Sequence, residues 1–205
     1  MTDRQRFPEA AAGEVFSREE WRVLEEAVAG GVGAIQVREK DLDGGALHAR
    51  VSALVSLCRP KGVRVLVNDR ADVALAAGAD GVHLPGTGLS VDDARLVVGR
   101  EARVGRSIHD GTELAACRGV DYAIFGPIFD TPSKRRYGAP QGLERLADVS
   151  RTSDVPIVGI GGITVDRARD VLASGAAGVA VMGAILSADH PRDVVRAFRD
   201  ALVPA

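Results

Sequence analysis

Cysteine is scarce in this sequence: Cys58 and Cys117 are the only two, and they stand without CxxC spacing. That pattern argues against a disulfide framework or a thiolate metal cage, and both lie in segments that read as helices. Aromatic residues make up only 4% of the chain, so Ala, Val, Leu and Gly must build the core. No stretch approaches the roughly 20 apolar residues a membrane-spanning helix needs. Residues Met1 to Phe7 are polar and carry Asp3, Arg4 and Arg6, without the apolar centre of a signal peptide, which predicts a cytoplasmic protein. An excess of one charge is missing too. With 26 basic against 28 acidic side chains and the basic ones dispersed, neither a nucleic-acid nor a membrane surface is implied. Internal repeats, low-complexity tracts and linkers are absent, so residues 1–205 are expected to form one domain.

What is present is alternation. Short apolar runs rich in β-branched residues recur at Ala34 to Val37, Val63 to Val67, Gly81 to Leu84, Ala102 to Val104, Tyr122 to Phe125, Val155 to Ile160 and Gly178 to Met182. Each is too short for a helix and suits a buried strand. Between them lie amphipathic segments. Ser17 and Glu20 predict a capping box, Ser90 and Thr164 open helices similarly, and Pro191 takes a favoured first position ahead of Val194, Phe198 and Leu202. Strand–helix alternation predicts a parallel sheet. Seven strands with both faces covered favour a (β/α)8 TIM barrel over a flavodoxin-like open sheet. An eighth strand would have to come from Met1-Thr2-Asp3, where about five residues are usual. The prediction is therefore a barrel with a truncated first strand, partly unpaired at that seam. It implies either a start upstream of Met1 or a fold less stable than its relatives.

In such a barrel the loops after the strands carry the chemistry. Behind the Ala34 run, alternation points Gln36, Arg38 and Lys40 one way and Glu39 the other. Two converging cations suit a phosphate or diphosphate; a solvated charged loop is the other reading. Asn68-Asp69 ends the next strand, and Asp69 either ligates a hydrated Mg²⁺ or caps the following helix. Gly161-Gly162 and Gly183-Ala184 each precede a helix and allow backbone N–H groups to approach a phosphate. The long segment from Gly126 to Gly138 reads as a lid over an anion or as a basic surface loop. Ser107 and His109 follow the Ala102 run and His83 lies within a strand, but no Ser/His/Asp triad follows from their spacing. His48 and His190 fall on helices away from the mouth.

Together these segments resemble the thiamine phosphate synthase / TenI-like family along essentially the whole chain. The resemblance rests on Met1-Thr2-Asp3-Arg4, Gln36 to Lys40, Asn68-Asp69-Arg70, Gly105 to His109, Gly126 to Phe129, Thr131 to Lys134 and Ile160 to Ile163. It implies a TIM barrel that joins hydroxymethylpyrimidine diphosphate to thiazole phosphate with Mg²⁺, forming thiamine phosphate and diphosphate. By the same resemblance Gln36, Arg38, Lys40, Asn68, Ser107 and Lys134 would hold the pyrimidine diphosphate, with Arg38, Lys40, Ser107 and Lys134 the catalytic set. Asp69 would ligate Mg²⁺. Thr131, Ser133, Gly161, Gly162, Met182 and Gly183 would hold the thiazole phosphate. The expected partners are these small molecules, and a homodimer is left open.

The pattern departs from the synthases at Gly88, where a second metal carboxylate is usual, and at Gly183, where serine is usual. Leu84-Pro85 with Leu89-Ser90, and Gly105-Arg106-Ser107, resemble the TenI branch, which includes thiazole phosphate tautomerases. Yet Pro127 stands where tautomerases carry histidine. A tautomerase and a non-catalytic thiazole phosphate binder are the alternatives.

Overall fold

The β-branched runs pair side by side. They form β1 (Ala34–Val37), β2 (Arg64–Asn68), β3 (Gly81–Leu84), β4 (Arg103–Ile108), β5 (Tyr122–Phe125), β6 (Ile157–Ile160) and β7 (Gly178–Ala180). The structure, a computed structural model, describes residues 1–131 and 139–203. Neighbouring strands are all parallel, and their spatial order follows chain order from β1 to β7. A flavodoxin-like sheet needs a reversal of strand order, so that alternative falls. The result is an α/β fold whose sheet has seven parallel strands among the described residues.

The helices are α1 (Arg18–Gly30), α2 (Gly44–Cys58), α3 (Ala71–Ala76), α4 (Val91–Val98), α5 (Gly142–Thr152), α6 (Val165–Ala173), α7 (Gly183–Leu186) and α8 (Pro191–Leu202). Cys117 sits in a 3₁₀ segment, Gly111–Cys117, rather than an α-helix, and both cysteines are free and buried. Ser17 accepts from the Glu20 N–H at 3.2 Å, but the reciprocal half of the expected capping box is missing. The Glu20 carboxylate is instead ion-paired with Arg50 in the interior. Ser90 caps α4 as expected, whereas Thr164 makes no side-chain cap bond.

Met1-Thr2-Asp3 form no strand; three residues ahead of the 3₁₀ turn Arg4–Arg6 cannot build a ladder. They still bond on two sides. The Thr2 N–H donates to the Gln36 carbonyl at 2.8 Å, and Thr2 Oγ1 accepts from the Arg38 N–H at 3.0 Å. The Met1 amino group donates to the Val181 carbonyl at 3.4 Å, beyond the end of β7.

Strand alternation separates two faces. Ile35, Val37, Val65, Val67, Val82, Leu84, Val104, Ala123 and Phe125 belong to the core shared with the helices. Burying such a side chain fully is worth about 1.5–3 kcal/mol. Gln36, Asn68, His83, Ser107 and Tyr122 occupy the alternate positions and form a more polar face. β4 runs on to Ile108, so Ser107 lies inside the strand rather than after it; β7 stops at Ala180, ahead of Met182.

Candidate active site

Everything expected of the segment after β1 turns on its alternation, and the structure keeps it. Gln36 is buried, and its Nε2 donates to Asn68 Oδ1 on β2 at 3.2 Å. Arg38 is half-buried and Lys40 exposed; among the described residues neither has an ion-pair partner. Glu39 points the other way and is buried. Its carboxylate accepts from the Arg4 N–H at 3.2 Å and lies 4.0 Å from Arg50. Arg50 also pairs with Glu20, donates to the Val15 carbonyl at 2.7 Å and sits 4.0 Å above the Phe16 ring. Burial raises the Glu20 carboxyl above its usual range even with the Arg50 guanidinium beside it. Glu39 therefore ties down the N-terminal segment, while Lys40 lines a pocket with Asn68 and Asp69.

Asp69 does not cap a helix. α3 begins at Ala71 with Arg70 in the cap position and no side-chain cap bond. Asp69 itself has φ +68°, a left-handed conformation that aspartate tolerates better than most residues yet seldom adopts without a reason. Its carboxylate is exposed at a pocket of about 200 Å³ lined by Glu39, Lys40, Leu42, Leu47, Asn68, Asp69 and Arg70. A side chain at position 88 would point at it: a Cβ there would stand 2.9 Å from Asp69 Oδ1 and 2.8 Å from Pro85 Cδ. Gly88 is outside the left-handed region, so the turn does not demand glycine for its backbone. Arg106 fixes that turn by donating to the Gly86 carbonyl at 3.0 Å and the Leu89 carbonyl at 3.4 Å. Among the described residues no three His, Cys, Asp or Glu side chains gather as a metal cluster.

On the polar face, His83 Nε2 lies 2.8 Å from Ser107 Oγ and Nδ1 lies 3.1 Å from the Tyr122 hydroxyl. Burial lowers the His83 pKa to about 4, so the ring is neutral. His109, in contrast, is exposed after β4 beside Glu113 at 3.8 Å. The sequence places His83 only within a strand and Tyr122 only at the start of one, and assigns neither to the site. Gly105 makes room for the contact, since a Cβ there would fall on the Tyr122 ring.

At the far side, Gly161 and Gly162 have φ +100° and +64°. A Cβ on Gly161 would approach Pro127 Cβ to 2.6 Å, and one on Gly162 the Asp130 carbonyl to 2.6 Å. These glycines are thus required first by backbone conformation and by the packed segment after β5, whatever they bind. That segment is joined to the turn by bonds from the Ile128 N–H to the Ile160 carbonyl at 2.8 Å and from the Phe129 N–H to the Gly161 carbonyl at 3.0 Å. Thr131, at the end of that segment, is half-buried. Ser133 and Lys134 lie outside the described residues. Met182 caps α7 and Gly183 begins it. Position 183 is roomy, with Arg6 Nη1 the nearest atom to a Cβ at 3.9 Å; Arg6 also donates to Ser187 Oγ at 3.3 Å and pairs with Asp3 at 3.1 Å. Arg6 was not singled out from the sequence.

Comparison with known proteins gives a consistent result. The TMP-TENI family profile, described as thiamine monophosphate synthase, matches residues 10–185. A thiamine-phosphate synthase of Roseiflexus castenholzii is 41% identical over 202 residues, 98% of this chain and 85% of that protein. One from Chlorobium limicola is 42% identical over 172 residues, 83% of this chain and 82% of the relative. Among solved structures, thiamine phosphate pyrophosphorylase from Pyrococcus furiosus superimposes with a TM-score of 0.83 at 31% identity, covering 97% of this chain and 91% of that one. A 3-hexulose-6-phosphate synthase, at 20% identity and a TM-score of 0.69, shares the fold alone.

Proposed function

The chain belongs to the thiamine monophosphate synthase family, and on that premise we propose that it condenses hydroxymethylpyrimidine diphosphate with thiazole phosphate. The C–O bond from the pyrimidine methylene to the diphosphate breaks, its electrons leaving with the oxygen. The thiazole nitrogen lone pair forms the new C–N bond. Charge grows on the leaving oxygens, so fixed cations and N–H or O–H donors there lower the barrier. Arg38, Lys40, Ser107 and Lys134 take that role, with Gln36 and Asn68 orienting the pyrimidine diphosphate. Thr131, Ser133, Gly161, Gly162, Met182 and Gly183 hold the thiazole phosphate.

The exposed Asp69 carboxylate fits one Mg²⁺ that takes its remaining ligands from water and substrate phosphate. When bound, that ion neutralises charge on the diphosphate. Met1 and Thr2 close the sheet toward a full (β/α)8 barrel, residues 1–205 act as one domain, and the free cysteines suit the reducing cytoplasm.

The observation that carries the reading is that Lys40, Asn68 and Asp69 line one pocket, with Gln36 hydrogen-bonded to Asn68 and with Arg38 and Lys40 free of ion pairs among the described residues. A protein that holds only thiazole phosphate has no use for a diphosphate clamp. Purified protein given both substrates and Mg²⁺ should form thiamine phosphate. Gly88, which leaves Asp69 without a second carboxylate, favours the other reading, a thiazole phosphate binder. Binding of thiazole phosphate with no product at any Mg²⁺ concentration would establish it. A tautomerase would have to use another base, since Pro127 cannot serve as one.

A further inference from the structure

The His83 ring sits between two hydroxyls on neighbouring strands, and its surroundings decide which way every proton in that chain points. A neutral imidazole carries one N–H and one lone pair, so one ring nitrogen donates and the other accepts. Ser107 Oγ faces Nε2 at 2.8 Å, and Tyr122 Oη faces Nδ1 at 3.1 Å. Among the described residues the Tyr122 hydroxyl has no other hydrogen-bond partner. Burial, and secondarily the Asp121 carboxylate, raises the phenol above its usual range, so it keeps its proton. A phenol is the more acidic of the two hydroxyls and its oxygen, delocalised into the ring, the poorer acceptor. Were Tyr122 to accept from Nδ1, its own proton would be stranded, at a cost typical of an unsatisfied buried donor. The low-energy order is Tyr122 O–H to Nδ1 and Nε2–H to Ser107 Oγ.

The arrangement is built for this contact. His83 pairs with Gly105 and Gly105 with Tyr122 in the strand register, and the Tyr122 ring crosses the place a Gly105 Cβ would fill. Any larger residue at 105 would push the phenol off His83.

We propose that Tyr122 and His83 are positioning residues that hold Ser107 as a hydrogen-bond donor toward the substrate. With its lone pair occupied by Nε2–H, the Ser107 hydroxyl directs its proton outward, and no described residue accepts it. It therefore recognises an acceptor-rich group, which under the proposed synthase reading is the leaving diphosphate. The same polarity denies Ser107 a base. Nε2 already bears a proton and cannot take another from the hydroxyl without becoming a buried cation. The Ser–His contact is thus a donor-orienting device, and no hydrolytic nucleophile.

The first test needs no activity. Nitrogen NMR of protein with isotope-labelled histidine should show His83, the one buried histidine, as the Nε2–H tautomer at neutral pH, identified by loss of its signal in His83→Gln. Tyr122→Phe should return the ring to a mixture of tautomers. An Nδ1–H ring in the parent, or an unchanged tautomer in Tyr122→Phe, overturns the proposal even if thiamine phosphate is made. The second test uses turnover. Tyr122→Phe should lower kcat on the order of tenfold with the KM for thiazole phosphate unchanged, the scale seen for groups that orient a ligand from behind. In a Ser107→Ala background the same change should cost less than about twofold, because its effect runs through Ser107. Equal losses in both backgrounds would reduce Tyr122 to packing. Absence of any product from the parent would instead overturn the synthase reading and leave the tautomer result standing.

Discussion

At the N-terminal ends of the strands, charge is spent on the fold. Asp121 accepts from the Val104 N–H at 2.7 Å and pairs with Arg95 at 2.7 Å and Arg103 at 2.9 Å. Asp80 accepts from the Val65 N–H at 2.7 Å in the same manner. Burial alone would raise the Asp121 carboxyl; these hydrogen bonds and cations outweigh it and hold the group below its usual range. At the C-terminal ends, Arg38 and Lys40 have no ion-pair partner among the described residues, Asp69 holds a left-handed backbone, and glycines fill the turn after β6. Asp121 and Asp80 are thus bonded into the sheet, whereas Arg38 and Lys40 carry no ion pair among the described residues. The contrast narrows to adjacent residues after β1. Glu39 turns inward to Arg50 and Arg4, while half-buried Arg38 and exposed Lys40 on either side carry no ion pair among the described residues.

The comparison predicts different consequences for charges of the two kinds. The largest belongs to the paired set. Arg50→Met leaves Glu20 and Glu39 buried without their cation and should destabilise the fold by about 3–5 kcal/mol, read from denaturant unfolding. A loss under about 1 kcal/mol would mean that the cluster is not what secures the N-terminal segment.

Next comes the mouth. Asp69→Asn should lower kcat/KM on the order of a hundredfold, equivalent to about 2.7 kcal/mol, and raise the Mg²⁺ concentration needed for half-maximal rate. Gly88→Asp should lower that requirement, because position 88 faces Asp69 and its backbone is not in the left-handed region. The crowding of a Cβ against Pro85 and Asp69 limits the gain. Initial rates against Mg²⁺ for the parent and both variants decide this. A parent that saturates at low Mg²⁺ and tolerates Asp69→Asn would remove Asp69 from the metal site.

The smallest effect belongs to the closed end. Asp121→Asn loses a charged hydrogen-bond acceptor and should cost about 1–3 kcal/mol of stability with kcat/KM unchanged. A matching fall in kcat/KM would show that the two ends are not separable.

How much of this was legible in the sequence differs between fold and site. Seven strands were readable because each β-branched run is short and buried, and the parallel order followed from the helices between them. Errors arose where one residue served two demands. Gly105 and Arg106 lay beyond the Ala102 to Val104 run, yet both are in β4, where Gly105 clears space for Tyr122 and Arg106 reaches across to the 85–89 turn. Glu20 looked like half of a capping box, but the interior claims it for Arg50. Gly161 and Gly162 read as openings for a phosphate, and are also where the chain after β5 packs too closely for a side chain. At the site, Gln36, Arg38, Lys40, Asn68 and Asp69 were visible because local alternation places them. The Ser107–His83–Tyr122 chain was not. It joins three strands through contacts between residues 24 and 39 positions apart, and no local pattern encodes which side chains meet across a sheet.

The most direct measurement of the account is a paired one on Arg38→Gln: melting temperature, and kcat/KM for the pyrimidine diphosphate. If the open end keeps its cations for an anionic substrate, kcat/KM should fall on the order of a hundredfold while the melting temperature stays level or rises, since no ion pair is lost. A melting temperature that falls with kcat/KM unchanged would contradict the account, placing Arg38 among the charges that hold the fold.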